Sequence, residues 1–367
     1  MTFDFFNVPR VVFGRGAIAR LPELVPADAR VLLVYNGRRV GVPHLVAEFR
    51  QRGEPTVDDV DHALTVAHEN ECDFVIGLGG GSAIDAAKAV AGLLSNGGAA
   101  SDYMELIGKG QKITKPAVPW IAIPTTAGTG AEVTRNAVIG WPEKKFKASL
   151  RSELLLARVA LIDPSLHVDV PPDVTARSGM DALCQCIESY VSSGANAMTD
   201  AIALKGAALA STCLRRACDD GHDLEAREGM ALAALMSGIA LTNAGLGAVH
   251  GFAAPLGANF PVPHGVVCGL LLPGVIAANM AALKNASEAN RRITSEKYDR
   301  LDRTLVGGLK QCEELVHTLS LPRLREFGMA ESDVEPMVEL TKRASSMRYN
   351  PIVLPDRVLA QILRDVL

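Results

Sequence analysis

The stretch that most constrains this chain is 72–95, CDFVIGLGGGSAIDAAKAVAGLLS. An apolar run, three glycines and an alanine-rich segment follow one another without a gap. Phe74 to Leu78 reads as a strand, Gly79 to Gly81 as a tight turn, and Ser82 onward as a helix. Exposed backbone N–H groups and the helix dipole at such a junction favour a bound phosphate, and glycine lets the backbone approach it closely. A glycine turn of this kind also serves as a plain connection, and the fingerprint differs from the common G-x-G-x-x-G.

The flanking sequence repeats the alternation. Arg30 to Tyr35 (RVLLVY) reads as a buried strand ending at the Asn36-Gly37 turn, and Thr56 is a natural N-cap for TVDDVDHALTVAHEN, whose first turn is acidic. Trp120 to Ile123 is another strand, followed by the loop PTTAGTGAE at 124–132; ARVALIDP ends a last strand at Asp163-Pro164. Strands separated by helices predict an α/β domain with a mostly parallel, Rossmann-like sheet over residues 1–165. From about Pro171 the period becomes helical, over 173–192, 198–218, 223–246 and 265–283. Residues 166–367 are therefore expected to form an all-helical domain. The chain of 367 residues is long enough for both.

Composition excludes several classes. Charged residues make up 21% and the net charge is −4, without a basic run, so neither nucleic acid nor an anionic membrane is an expected partner. The seven cysteines (72, 184, 186, 213, 218, 268 and 312) are odd in number and contain no C-x-x-C, which fits reduced thiols and a cytoplasmic location. Cys184 and Cys186 read as helix packing. MTFDFFNVPRVVFG lacks the basic flank and long apolar core of a signal peptide. Gly229 to Val249 is uncharged over a membrane-spanning length, but its glycines, Thr242 and Asn243 favour a buried helix.

Chemistry concentrates between Gly247 and Gly265, GAVHGFAAPLGANFPVPHG, where His250 and His264 stand in apolar surroundings. Ligating groups in such a setting need a partner. With Asp181, in SGMDALCQCIESY, they could bind a divalent cation and leave a position open for substrate or water. Each residue taken singly reads first as a satisfied core histidine or a helix-start carboxylate. The Thr125–Gly130 loop could line a nucleotide or cap the next helix; two such loops at the carboxyl ends of parallel strands mark the ligand-binding edge of an open α/β sheet.

Together PTTAGTGAEVT at 124–134, GGGSAIDAAK at 79–88, SGMDAL at 178–183 and VHGFAAPLG…PHG at 249–265 resemble the iron-containing (group III) alcohol dehydrogenases over nearly the whole chain. The resemblance implies an N-terminal dinucleotide-binding domain and an all-helical C-terminal domain of dehydroquinate synthase-like architecture. It implies metal ligation by Asp181, His250 and His264, with catalysis at those residues. Gly80, Gly81 and Ser82 would contact the pyrophosphate. Thr125, Thr126 and Thr129 would line the nucleotide, with Asp85 also on the cofactor, and Asn136 and Lys147 match positions near the nicotinamide. The implied cofactors are NAD(P) and Fe2+ or Zn2+, the substrate a small alcohol or aldehyde, and the common assembly a homodimer.

Four positions depart from the family's pattern. Where many members carry a fourth ligand, a histidine one turn after the aspartate, this chain has Gln185; an amide oxygen ligates transition metals less well, so lower affinity and altered selectivity are expected. A second histidine after the His250 position is replaced by Ala254. At the coenzyme-selecting position Asn36 replaces the acid often found, and Arg38 or Arg39 could meet a 2′-phosphate or remain solvated. The stretch VAEFRQRGEPTVDDV is short, as if a helix ran directly into the GEPT turn with one strand missing from the sheet or the loops rearranged.

The chemistry expected is hydride transfer to or from the nicotinamide, with the metal as Lewis acid on the substrate oxygen. The apolar run Gly251–Ala254 points to a small uncharged substrate. The alternatives are maleylacetate reductase-like or other chemistry on the same scaffold, such as a dehydroquinate-synthase-like lyase, and a nucleotide-binding protein that has lost its metal.

Overall fold

The computed structural model describes residues 2–367, which divide into two compact units, Phe5–Val170 and, with a few N-terminal residues, Pro171–Leu367. In the first unit, strands β1 (Val11–Phe13), β2 (Val31–Tyr35), β3 (Leu45–Arg50), β4 (Phe74–Gly79), β5 (Trp120–Pro124) and β8 (Val159–Ile162) form one sheet in the order β1-β8-β5-β4-β2-β3. Every pairing is parallel. Its central strands are buried on both faces, as their unbroken apolar sequences require, and Leu33, Phe74, Ile76, Leu78, Ile121 and Leu161 join one core. Helices α1 (Leu21–Leu24), α2 (Val57–Glu69), α3 (Gly81–Asn96) and α4 (Ala100–Tyr103) complete this unit with the antiparallel hairpin β6 (Asn136–Trp141) and β7 (Phe146–Arg151). Helix α2 begins with a reciprocal cap: the Asp59 N–H donates to Thr56 Oγ1 (3.2 Å) and the Thr56 N–H to Asp59 Oδ2 (2.9 Å).

The segment expected as a helix ahead of the GEPT turn is instead strand β3, pairing in parallel with β2. The sheet therefore keeps that strand, and what is missing is the crossover helix. The stretch 36–44, with Gly37, Gly41 and Pro43, is too short for the usual helical crossover between parallel strands. Leu45, Ala47 and Phe49 are half-buried while Val46, Glu48 and Arg50 are exposed. This two-residue alternation is that of an edge strand.

The second unit is helical: α5 (Pro172–Val191), α6 (Ala197–Asp219), α7 (Leu224–Ala244), α8 (Ala248–Asn259), α9 (His264–Ala282), α10 (Glu288–Thr304), α11 (Gln311–Thr318), α12 (Val334–Lys342) and α13 (Asp356–Asp365). The apolar window 229–249 is not one helix. It breaks at Gly245, φ 73°, and α7 and α8 meet at 101°. The span 264–285 is long and apolar enough to cross a membrane, but 61% of its apolar window is buried within the protein, as in a core helix.

Candidate active site

Three helices of the second unit bring four donors together. Along α5, Asp181, Gln185 and Glu188 follow the helical period and share one buried face. His250 lies in the first turn of α8, and His264 opens α9 directly after Pro263. Gly265 lets α9 start against α5, because a Cβ there would lie 1.9 Å from the carbonyl oxygen of Arg177. The pair Pro263–Gly265 thus begins the helix and brings His264 beside Asp181.

His250 Nε2 lies 3.2 Å from Asp181 Oδ1, and His264 Nε2 lies 3.6 Å from the same oxygen. Cys268, one turn after His264, places Sγ 3.7 Å from His250 Nε2. The ligating atoms of Asp181, His250, His264 and Cys268 all lie within 4.8 Å of one another. Tetrahedral ligands at usual zinc distances are separated by about 3.3 Å (nitrogen–oxygen) and about 3.6 Å (nitrogen–sulfur), so the donors fit one divalent ion.

Glu188 holds the opposite edge of His250. Its carboxylate accepts the Nδ1 hydrogen bond at 2.7 Å and the backbone N–H groups of Val249 (2.7 Å) and His250 (3.4 Å). One buried carboxylate therefore caps α8 and, by holding a proton on Nδ1, leaves Nε2 as the ligating nitrogen. Gly247 makes room for it: a Cβ there would lie 2.8 Å from Glu188 Oε1.

The proton affinities describe a donor set that attracts positive charge. Burial pushes His250 down, but the Cys268 thiolate and hydrogen bonds to Asp181, Cys268 and Glu188 more than reverse this. Burial likewise opposes protonation of His264, whose side chain is 40% exposed, and Cys268 and Asp181 turn the balance upward. Burial raises the Cys268 thiol, while a hydrogen bond from Cys184 and the two imidazoles bring it well below its ordinary value. Burial raises Asp181, against the pull of both histidines.

The Gln185 carbonyl oxygen accepts from Ser237 Oγ of α7 at 2.8 Å. The expected apolar lining takes another form. Phe252 and Ala253 are buried in the helical core, Gly251 packs where a Cβ would meet Met347, and only Ala254 is exposed.

In the first unit the two loops meet. Asn36 Oδ1 accepts from the Gly80 N–H at 3.0 Å, and a Cβ on Gly79 (φ 148°) would lie 2.0 Å from that oxygen. A Cβ on Gly80 would lie 3.2 Å from Thr126 Oγ1, and one on Gly81 2.7 Å from Thr129. The Thr125 N–H donates to the Gly79 carbonyl at 2.9 Å. Asn36, Gly79–Ser82 and Thr125–Thr129 thus form one surface at the carboxyl ends of β2, β4 and β5, with Ser82 in the first turn of α3. Asp85 has a structural partner on each oxygen: Lys88 Nζ on Oδ1 (3.2 Å) and the Val138 N–H on Oδ2 (3.0 Å). Asn136 contributes its carbonyl to Lys88 (2.6 Å), and Lys147 pairs with Glu54. Arg38 pairs with Asp169 (3.2 Å) and Arg39 with Glu48 (2.7 Å), both at the surface.

Sequence reasoning passed over Cys268, Glu188, Lys88 and Glu132. The first two were readable in principle, four residues after His264 and seven after Asp181 on helical faces. Lys88 is fully buried, with Nζ on Thr134 Oγ1 (2.7 Å), Asn136 and Asp85. Burial lowers its pKa and Asp85 opposes that shift. Burial pushes Glu132 up to about 7.

Residues 9–164 match the model of the iron-containing alcohol dehydrogenases, and residues 175–367 that of the C-terminal region of the Fe-containing alcohol dehydrogenase family. The chain is 38% identical to alcohol dehydrogenase 4 of Saccharomyces cerevisiae over 380 residues, covering 98% of this chain and 97% of that one. It is 32% identical to the NAD-dependent methanol dehydrogenase of Bacillus methanolicus, covering 99% and 100%. A crystal structure of a 1,3-propanediol oxidoreductase superposes with a TM-score of 0.86 at 30% identity, covering the whole of both chains. The chain belongs to the iron-containing alcohol dehydrogenase family. It is a metal-dependent, NAD-linked oxidoreductase acting on CH–OH groups of small alcohols or the corresponding carbonyls.

Proposed function

We propose that Asp181, His250 and His264 hold the catalytic metal and that the surface formed by Gly80, Gly81, Ser82, Thr125, Thr126 and Thr129 holds the dinucleotide. The carrying observation is the convergence of Asp181 Oδ1 with the Nε2 atoms of both histidines, at 3.2 and 3.6 Å, on a largely buried site. When bound, the divalent ion supplies Lewis acidity toward the substrate oxygen, and the nicotinamide supplies or accepts the hydride.

The chain's own residues set the conditions for that chemistry. Glu188 fixes the ring and tautomer of His250, and the carboxylate of Asp181 faces both imidazoles. Asn36 holds the Gly80 amide and so shapes the start of α3, where backbone N–H groups would meet the pyrophosphate. Asp85 and Asn136 act by anchoring Lys88 and the β6–β7 hairpin beside that surface, and Lys147 stands on β7.

Asn36 brings no carboxylate to repel a 2′-phosphate, and Arg38 and Arg39 are near in sequence, so we assign use of NADP as well as NAD. The seven unbridged cysteines support a reducing, cytoplasmic setting. We take the assembly to be a homodimer, as is common among relatives. The test is turnover of NADH and NADPH with short aldehydes by the metal-loaded enzyme. Turnover lost on chelation and restored by Fe2+ or Zn2+ supports the reading; turnover unaffected by complete metal removal overturns it.

A further inference from the structure

The fourth corner of the metal site is a thiol. We propose that Cys268 is the fourth protein ligand, standing in for the imidazole absent at Gln185, and that it shifts preference from iron(II) toward zinc(II) and cobalt(II). The inference rests on the proposed Asp181–His250–His264 site.

Cys268 is fully buried and lies one turn beyond His264 on α9, so both side chains leave the helix on one face. Its Sγ stands 3.7 Å from His250 Nε2, close to the roughly 3.6 Å between a nitrogen and a sulfur ligand on one tetrahedral ion. It belongs to the same four-donor group as Asp181 and both histidines. At the usual fourth position Gln185 offers an amide oxygen, a poorer ligand than imidazole, and that oxygen is hydrogen-bonded to Ser237.

The other nearby thiol stands beside a different nitrogen of His250 and belongs to a second donor group, with Glu188 and His250. Cys184 Sγ approaches Nδ1 of His250 at 4.0 Å, the nitrogen that Glu188 already engages at 2.7 Å. Cys184 thus meets Nδ1 and hydrogen-bonds to Cys268, while Cys268 meets the Nε2 that faces Asp181. A thiolate among the donors favours softer ions, and carboxylate and imidazole alone do not discriminate in that way.

The test uses the full chain stripped of metal and reloaded with cobalt(II) alone, as wild type, Cys184→Ser and Cys268→Ser. Bound cobalt per chain and near-ultraviolet sulfur-to-cobalt charge-transfer absorption are read together, followed by zinc–iron competition. Wild type and Cys184→Ser are expected to bind a single cobalt ion with the absorption band. Cys268→Ser should lose the band, bind cobalt roughly 10-fold or more weakly, and show a reduced zinc-over-iron preference. Cobalt bound by wild type without the band, or a band persisting in Cys268→Ser, overturns the role of Cys268 and leaves the three-ligand reading standing. No cobalt retained by wild type overturns both. If Cys268→Ser does not fold, the band in wild type and Cys184→Ser still decides, since Cys268 is then the thiol left among the four converging donors.

Discussion

The two halves of this enzyme build their candidate sites from opposite materials. The Gly79–Thr129 surface is built by removing side chains: a Cβ on Gly79 or Gly81 would collide with Asn36 or Thr129. The Asp181–Cys268 cluster is built by adding them, from three helices, with glycines only where Gly247 and Gly265 let those helices meet. The first site is thus sensitive to shape and the second to donor chemistry. Lesions in one should leave the other's ligand in place.

The largest effect is expected from His264→Ala. Losing one of the proposed ligands should lower kcat/KM on the order of 10³-fold, about 4 kcal/mol, with loss of bound metal and little change in NADH affinity. Steady-state kinetics beside metal analysis checks this. On the other side of the comparison, Gly79→Ala adds a Cβ at 2.0 Å from Asn36 Oδ1 and forces an alanine to φ 148°. The KM for coenzyme should rise roughly 10-fold or more with metal content unchanged, since a strain of about 1–3 kcal/mol falls on the loop.

A pH effect separates the halves further. Glu132, buried in the short turn that ends the threonine loop, has its folded-state pKa raised from 4.5 to about 7 by burial. The folded state therefore binds more protons than the unfolded state in that window, and stability falls as pH rises from 4.5 through 7. Glu132→Gln should remove up to about 3 kcal/mol of that decline, seen as a flatter plot of unfolding free energy against pH. A parallel plot for variant and wild type would contradict the assignment.

Glu188→Gln should weaken metal binding by roughly 10–100-fold, because it disturbs the partner that orients His250 without touching the proposed ligands. Competition with a chelator measures it. The smallest effect is that of Gln185→Ala: about 1–2 kcal/mol of stability from the Ser237 hydrogen bond, with metal affinity changed less than about 2-fold. A large drop in affinity would return Gln185 to the ligand set.

The same contrast explains what could be read from the chain. Strand β4, the glycine turn and α3 are written contiguously, so the strand and the turn that follows it are local information. So were the helical period of residues 172–282 and the pairing of Asp181 with His250 and His264, given the family's motifs. Cys268 was hidden because a cysteine in an apolar helix looks like packing, and only folding brings it to His250. Gln185 stands at the family's fourth-ligand place along α5, and its hydrogen-bond partner Ser237 comes from another helix. The β2–β3 connection misled for a related reason: VAEFR is too mixed to announce a strand, and its alternation takes meaning only at a sheet edge beside β2. The β6–β7 hairpin, held through Asp85 and Lys88, gives no motif of its own.

In the proposed arrangement, metal and dinucleotide are held by separate sets of residues in the two halves. The most direct measurement is bound metal and NADH affinity on the same preparations of wild type and His264→Ala, by metal analysis and fluorescence titration. One divalent ion per wild-type chain, its loss in the variant, and NADH affinity preserved within about 3-fold are predicted, the last because no proposed dinucleotide contact is altered. Equal metal content in the two proteins, or loss of NADH binding together with the metal, would contradict it.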